Sequence, residues 1–184
     1  MRTQMRHGLA IAVLIVAGVT WAVVAVTAQG SRIQRGEELA PVPLNLNGLN
    51  PALVREGSYI VNAQGGCNDC HTYTPYAAGG DPFAGEPEQI NAPCYLSGGT
   101  RFGPFISRNL TLVPSRRTLD QFKQIMHFGT DFAGGATPIL QVMPWPVYGK
   151  MSDRELSAIY EFLRAIPVID PRPDACTQPP PPMP

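Results

Sequence analysis

The sequence predicts a mainly α domain in which a few helices are joined by long loops. Three segments carry apolar residues at helical spacing and are bounded by residues that commonly cap or stop helices. The 184 residues include 20 prolines and 18 glycines, which favours many turns. Residues 72–113 show neither a helical nor a strand period, and a loop of this length is uncommon in a compact domain. We therefore expect its side chains to bury against something other than a neighbouring helix or strand.

We expect the helices over residues 52–64, 119–128 and 152–166. Each has an apolar stripe and a recognisable stop, which is Gly65-Gly66 for the first, Gly129 for the second and Pro167 for the third. The third is the clearest, because Ser152 to Glu155 forms a capping box at its start.

An uncharged apolar stretch covers residues 9–28. As a helix it would span roughly 30 Å, which is the hydrocarbon thickness of a bilayer. It is longer than the core of a usual signal peptide, which favours an uncleaved membrane anchor. Small residues at Val26-Thr27-Ala28 could instead serve as a signal cleavage site. Residues 1–30 are therefore expected to be a transmembrane anchor or a signal peptide.

The remaining chain divides by composition. Residues 31–50 lack a sustained period and are expected to be an extended tether. Residues 51–170 hold everything that could form a core, whereas residues 171–184 form a proline-rich tail that favours polyproline II structure. Lys+Arg and Asp+Glu are both 14, so the net charge gives no indication of a nucleic-acid partner.

Cys67-Asn68-Asp69-Cys70-His71 is the most informative motif. Two cysteines three positions apart, followed at once by histidine, match the pattern of covalent haem attachment. Each thiol can bond to one vinyl group, and the adjacent imidazole can become the proximal iron ligand. A zinc site would need a second ligand pair and a thioredoxin-type site a βαβ pattern, and the sequence shows neither. The motif predicts one covalent haem c bound by Cys67 and Cys70, with His71 on the iron.

A second axial ligand is expected on the other face of the haem, and methionine is a common choice. Met143 lies in Gln141-Val142-Met143-Pro144-Trp145-Pro146, where two prolines stiffen the loop before the last helix. Met126 falls on the apolar stripe of the second helix, which favours a core role, and Met151 is expected to pack at the entry of the third helix. His127 is the non-methionine alternative, on a face that is expected to be solvated. Met143 is favoured.

A CxxCH motif after an N-terminal helix, followed by a Met-Pro loop and a C-terminal helix, resembles the class I monohaem cytochromes c. The resemblance covers residues 51–170. The segments Ser107 to Thr111 and Met143 to Tyr148 look similar to the haem domains of cytochrome subunits that serve alcohol or aldehyde dehydrogenases. Those subunits often carry three such domains, whereas this chain has one motif. The resemblance implies a class I cytochrome c fold around one covalent haem, which would be attached on the outer face of the bacterial membrane.

The resemblance also assigns supporting residues. Gly57 and Tyr160 fit the places where the first and last helices cross, and Pro104 resembles the residue whose carbonyl accepts the free N–H of the proximal histidine. Arg108, Asn109 and Trp145 have side chains suited to the haem propionates. Their guanidinium, amide and indole groups respectively can donate hydrogen bonds to carboxylates. A solvated surface position is the alternative for Arg108.

Cys94 and Cys176 are left over from the haem motif. In an oxidising compartment an even pair favours an intramolecular disulfide, although two free thiols or a bond to another subunit stay open. Such a bridge would pin the tail across the long loop.

The function expected from these features is electron transfer, not catalysis, since the sequence shows no flavin fingerprint, copper ligand set or nucleophile–base arrangement. We expect a periplasm-facing cytochrome, held at the bacterial inner membrane or released as a soluble periplasmic protein. It would pass single electrons between a dehydrogenase or quinol-oxidising complex and a terminal acceptor. The alternatives are a fixed haem subunit of a respiratory or dehydrogenase complex and a haem peroxidase or gas sensor. A run of positive residues could steer a partner or simply be solvated: Arg101, Arg108, Arg116, Arg117 and Lys123.

Overall fold

The computed structural model describes residues 30–133 and 138–179. The apolar stretch 9–28, expected as an anchor or signal, lies outside these residues, and so do the last five residues of the proline-rich tail. Within the described ranges, no helix has the length and apolar character needed to span a bilayer.

The described chain is helix-rich with few strands, as predicted. Its helices are α1 (30–39), α2 (Pro51–Tyr59), α3 (Cys67–His71), α4 (Val113–Arg116), α5 (Leu119–Phe128), α6 (Trp145–Tyr148) and α7 (Asp153–Ala165). One antiparallel hairpin joins β1 (Arg101–Phe102) to β2 (Phe105–Ile106). Single 3₁₀ turns cover Pro82–Ala84, Ala92–Cys94, Leu110–Leu112 and Asp174–Cys176. The long loop is therefore not structureless: it contains the hairpin and several turns.

The three predicted helices are confirmed, with one difference in the first. α2 starts at Pro51 behind Asn50, whose side chain accepts hydrogen bonds from two backbone amides, and it continues as a π-helix over Ile60–Gln64. α5 follows Thr118 and stops at Gly129 in the left-handed conformation. α7 has the predicted capping box between Ser152 and Glu155. The π-helix carries the chain from the core directly to the haem motif.

The core forms where α2 crosses α7. Gly57 lies at the crossing, where a β-carbon would overlap the carbonyl oxygen of Ala158 and come within 2.8 Å of the Phe162 β-carbon. The glycine predicted at this place is confirmed, but its neighbours are Ala158 and Phe162 instead of Tyr160. The Tyr160 ring packs 5.8 Å from that of Phe122 on α5, and its hydroxyl donates to the Arg117 carbonyl at 2.8 Å.

The expectation of an extended tether over residues 31–50 is wrong. Residues 30–39 are helical, and a β-carbon at Gly36 would overlap the Arg55 carbonyl oxygen, so α1 approaches α2 closely. Glu37 pairs with Arg55 at 3.0 Å. Beyond α1, the Asn45 amide donates to the Ala165 carbonyl at 2.8 Å. Four apolar side chains pack against the core: Val42, Leu44, Leu46 and Leu49. These residues follow α1 and do not belong to a helix or strand, so their apolar side chains show no regular spacing in the sequence.

The predicted disulfide joins Cys94 and Cys176, whose Cα atoms are 5.3 Å apart and whose side chains are buried. Closing a loop of 82 residues stabilises by about 4–5 kcal/mol in the chain-entropy model. The tail expected as polyproline II is interrupted by the 3₁₀ turn Asp174–Cys176. Beyond this turn, the Gln178 amide donates to the Gly99 carbonyl, and Gln178 accepts hydrogen bonds from Arg101. The bridge therefore fixes the C-terminal segment against the long loop.

We predict that Gly57→Ala destabilises the protein by about 1–3 kcal/mol, because the added methyl group must separate α2 from α7. Urea unfolding followed by circular dichroism measures the change. Gly30→Ala is the matched control, since a β-carbon there has no neighbour within 4 Å among residues 30–133 and 138–179. Equal stability of Gly57→Ala and the wild-type protein would show that the helices do not cross this closely.

Candidate haem-binding site

A cavity of about 610 Å³ opens beside the haem motif. Such a volume is within the range of cofactor pockets. Cys67, Cys70, His71 and Met143 all line it. Most of its other wall is apolar, and includes Ile60, Val61, Leu110, Leu112, Val113, Phe122, Ile125, Met126, Ile139, Leu140, Val142, Ile159 and Leu163. The size, the apolar wall and the thiol, imidazole and thioether donors together fit a haem.

The motif occupies the one-turn helix α3. Gly66 precedes it with φ +56°, a left-handed conformation that favours glycine. A β-carbon at Gly65 would lie 3.2 Å from the Cys67 sulfur, so a larger residue there would crowd that sulfur. The three-residue spacing puts Cys67 and Cys70 on the same face of α3, and both thiols are free. Two sulfurs on one face can bond along one edge of a macrocycle.

The electrostatics of the two thiols do not suit thiol redox chemistry. Burial raises the pKa of Cys67 to about 12, with smaller contributions from Cys70 and Asp69. Burial and Asp69 also raise the pKa of Cys70. Catalytic redox cysteines have lowered pKa values that maintain a thiolate. In addition, residues 30–133 and 138–179 contain no group of three or more His, Cys, Asp or Glu side chains that could hold a metal ion on their own. These observations favour haem over the thioredoxin and zinc alternatives.

The proximal histidine is oriented by a backbone carbonyl. Nδ1 of His71 lies 2.8 Å from the carbonyl oxygen of Arg108, so it can donate its proton there and leave Nε2 free to bind a metal. Desolvation lowers the pKa of His71, against an opposing effect of the hydrogen bond to Arg108, and this favours the neutral ring that a ligand needs.

The assignment of this carbonyl to Pro104 is wrong. Phe102 pairs with Phe105 in the β1–β2 hairpin, so Gly103 and Pro104 form its exposed tip. The chain returns along β2 before it passes His71, which brings the Arg108 carbonyl to the imidazole.

Three of the candidate distal ligands line the cavity. Met143 is partly buried and packs against the core from its loop. Met126 also lines the cavity but is 6% exposed within the core, and Met151 lines it just before α7. His127 is not among the lining residues. Its Nδ1 lies 2.8 Å from the Gly149 carbonyl and its Nε2 3.2 Å from Asp153, so both ring nitrogens have partners in the protein. Asp120 and Gln124, on the same face of α5, are exposed, as predicted.

Of the three residues expected to contact the haem propionates, two line the cavity and one does not. Arg108 lines the cavity and pairs with Asp131 at 2.7 Å. Asn109 also lines it, but its amide donates to the Ile169 carbonyl at 2.7 Å. Trp145 is not among the lining residues, and its N–H donates to the Leu140 carbonyl at 3.3 Å. The expectation is thus contradicted for Trp145, whose one donor is used within its own loop, and of the three expected residues Arg108 is the one that places a charged group on the cavity wall.

Three further arginines line the cavity: Arg116, Arg117 and Arg172. Arg116 and Arg117 belong to the positive run noted in the sequence, but Arg101 and Lys123 of that run are engaged elsewhere, with Gln178 and Asp153. Sequence reasoning missed Arg172, which reaches the wall because the disulfide returns the C-terminal segment to the loop that contains Ser97. The wall carries four guanidinium groups and the carboxylate of Asp131, and Asp170 lies beside it, 3.9 Å from Arg116. The positive charges outnumber the negative ones, which suits the carboxylates of a haem.

The Arg108–Asp131 pair predicts a pH effect on stability. The hydrogen bond from Arg108 lowers the pKa of Asp131, whose side chain is only 9% exposed. A depressed pKa in the folded protein stabilises it above the unfolded value of about 3.9, and the contribution is lost as the pH falls through the folded value. We expect Asp131→Asn to be less stable than wild type at pH 7 and the difference to shrink below about pH 4. Urea midpoints between pH 7 and 2 test this. The pH-dependent difference should become smaller in an Arg108→Gln background, where the Ala133 amide and the charge of Arg117 still lower the pKa of Asp131.

The chain is similar in sequence to two cytochrome c subunits of dehydrogenases. The chain is 30% identical over 113 residues to the gluconate 2-dehydrogenase cytochrome c subunit of Pantoea cypripedii, covering 61% of this chain and 23% of that protein. It is 31% identical over 115 residues to the cytochrome c subunit of alcohol dehydrogenase (quinone) from Gluconobacter oxydans, covering 60% and 21%. The chain thus spans less than a quarter of the length of these relatives. No family model and no solved structure matches the sequence. By sequence similarity to these dehydrogenase subunits, the chain carries a cytochrome c domain.

Proposed function

We propose that this chain binds one covalent haem c through Cys67 and Cys70, with His71 and Met143 as axial ligands, and transfers single electrons. One observation carries the proposal: the four side chains line a single, mainly apolar cavity although Met143 is distant in sequence from the motif. The sequence contains one CxxCH motif, which supports one haem in this chain.

Haem, when bound in this cavity, would supply a one-electron Fe(II)/Fe(III) couple. The thiols of Cys67 and Cys70 hold it covalently, and the Arg108 carbonyl keeps the His71 ring oriented with Nε2 free. The thioether of Met143 favours the reduced state more than a second histidine would. The apolar wall excludes water, and the arginines on the positive wall bind the two carboxylates.

The favoured role is that of a haem subunit working with a dehydrogenase. Both relatives are named as cytochrome c subunits of dehydrogenases. The second candidate, a separate carrier between a quinol-oxidising complex and a terminal acceptor, uses the same site. Affinity purification of the tagged chain from gently solubilised membranes separates the two, because a subunit retains a dehydrogenase in stoichiometric amount and a carrier does not.

We further propose that the haem domain, residues 51–170 with the packed segments on either side, faces the periplasm. Residues 9–28 would hold it at the inner membrane, and a soluble periplasmic form would result from cleavage after Ala28. The disulfide between Cys94 and Cys176 supports an oxidising compartment.

The experiment that tests the proposal is a haem-peroxidase stain after denaturing electrophoresis. The full-length protein, produced in cells competent for cytochrome maturation, should give a stained band because thioether bonds survive denaturation. A Cys67→Ser/Cys70→Ser variant, detected by antibody at a similar amount, should not stain. An unstained wild-type band contradicts the proposal.

We predict that Met143→Ala retains the covalent haem but loses the thioether-to-Fe(III) charge-transfer absorption and binds carbon monoxide readily in the reduced state. Met126→Ala should retain the absorption and lose about 2–5 kcal/mol of stability instead, because Met126 fills the core. Absorption spectra and urea unfolding of both variants measure these effects. The opposite pattern would make Met126 the ligand, and open binding of carbon monoxide to the wild-type protein would favour a peroxidase or gas sensor.

A further inference from the structure

The segment that carries Met143 has little regular structure of its own. It consists of the loop before α6 and the single turn of α6, and Pro144 and Pro146 have no amide N–H to donate. Its internal bonds include those from the Trp145 amide to the Met143 carbonyl at 2.7 Å and from the Gly149 amide to the Trp145 carbonyl at 2.7 Å. A segment of this kind depends on side-chain contacts with the rest of the protein to stay in place.

One such contact reaches the haem motif itself. The hydroxyl of Tyr148, at the end of α6, donates to the carbonyl oxygen of Gly65 at 2.7 Å. Gly65 caps the end of the π-helix, and its amide donates to the carbonyl oxygen of Ile60 at 2.7 Å. Cys67 follows two residues after Gly65. Tyr148 also lines the cavity. A single hydrogen bond therefore connects the Met143 segment to the turn that presents the haem thiols.

Two other contacts hold the opposite side of the same segment. His127 meets the Gly149 carbonyl at 2.8 Å, and the Trp145 ring packs against Gly129, where a β-carbon would lie 2.5 Å from the indole nitrogen. Both contacts join α6 to α5, whereas the Tyr148 hydroxyl is the contact that joins it to the haem motif. Removing the hydroxyl should therefore loosen the segment without detaching it. Desolvation raises the pKa of Tyr148, which keeps the hydroxyl protonated as a donor.

We propose that Tyr148 is a positioning residue, which holds the Met143 segment against the Gly65 carbonyl and thereby keeps the thioether directed at the haem iron. The inference rests on the proposed function, because it concerns how firmly the distal ligand is held. It differs from a general contribution to stability, because the bond joins the two parts of the site instead of two parts of the core.

The test uses Tyr148→Phe in the full-length, matured protein, since phenylalanine keeps the ring and removes only the hydroxyl. Imidazole is the probe, because it must displace Met143 to bind ferric haem. The shift of the Soret absorption reports its binding both with and without Met143, and loss of the charge-transfer absorption shows in addition that the thioether has left the iron. The affinity for imidazole should rise roughly three- to tenfold, as expected for the loss of one hydrogen bond.

Tyr160→Phe is the matched control. Tyr160 also donates its hydroxyl to a backbone carbonyl, that of Arg117 at 2.8 Å, and it is not among the cavity-lining residues. Both variants should lose similar stability in urea, and only Tyr148→Phe should bind imidazole more tightly. In a Met143→Ala background, where no thioether has to be displaced, the effect of Tyr148→Phe should disappear.

Unchanged imidazole affinity in Tyr148→Phe, an equal increase in Tyr160→Phe, or an effect that persists in the Met143→Ala background would each overturn the inference. The proposed function is checked separately on the wild-type protein, which should carry covalent haem and show the charge-transfer absorption. If it does, the three outcomes above contradict only the inference about Tyr148. A wild-type protein with no stained haem contradicts the proposed function, and the inference with it.

Discussion

The close crossing of α2 and α7 at Gly57 is the constraint on which the rest of the structure depends. With no side chain at this position, the two helices approach until the Gly57 backbone meets Ala158 and Phe162. Next to the crossing, Glu56 is buried and pairs with Arg154 of α7 at 2.6 Å. The pair joins α2 to α7 directly beside the crossing. The π-helix Ile60–Gln64 continues α2 from this point, and the haem motif begins three residues after it ends.

The long loop between α3 and α4 is fixed by contacts that are distant in sequence. The backbone of Thr72 pairs with Gly98, and its hydroxyl accepts a hydrogen bond from the Leu96 amide at 2.9 Å. The same part of the loop is joined to the C-terminal segment by the Cys94–Cys176 disulfide. The loop then turns at the hairpin and brings Arg108 to His71. The disulfide thus supports the proximal side of the site, although neither cysteine lines the cavity.

Local signals in the sequence were sufficient for some features and not for others. The haem motif, the capping box at Ser152 and the Met-Pro loop are short patterns whose chemistry is contained within a few residues, and the helix predicted behind the capping box is present. The carbonyl that orients His71 could not be found in this way, because it depends on how a two-residue hairpin directs the chain. The packing of residues 31–50 was missed for a related reason. Gly36 and the four apolar residues Val42, Leu44, Leu46 and Leu49 show no helical or strand period in the sequence. Their role is visible only in the folded protein, where Gly36 contacts α2 and the four side chains pack against the core.

A recurrent arrangement explains how a chain rich in proline and glycine can hold a defined site. Loops leave backbone carbonyls without partners in helices or sheets, and such groups are costly when buried. Here side-chain donors meet them at the important places: His71 at Arg108, Tyr148 at Gly65, His127 at Gly149 and Tyr160 at Arg117. Each bond pairs a stiff ring with a fixed backbone atom, so it specifies position better than a contact between two flexible side chains would. The bonds of His71 and Tyr148 hold the segments that would supply the two axial ligands of the proposed haem. The bonds of His127 and Tyr160 hold the two ends of α5. Hydrogen bonds from aromatic and imidazole side chains to loop carbonyls therefore fix these backbone segments, as backbone hydrogen bonds between strands would do in a sheet.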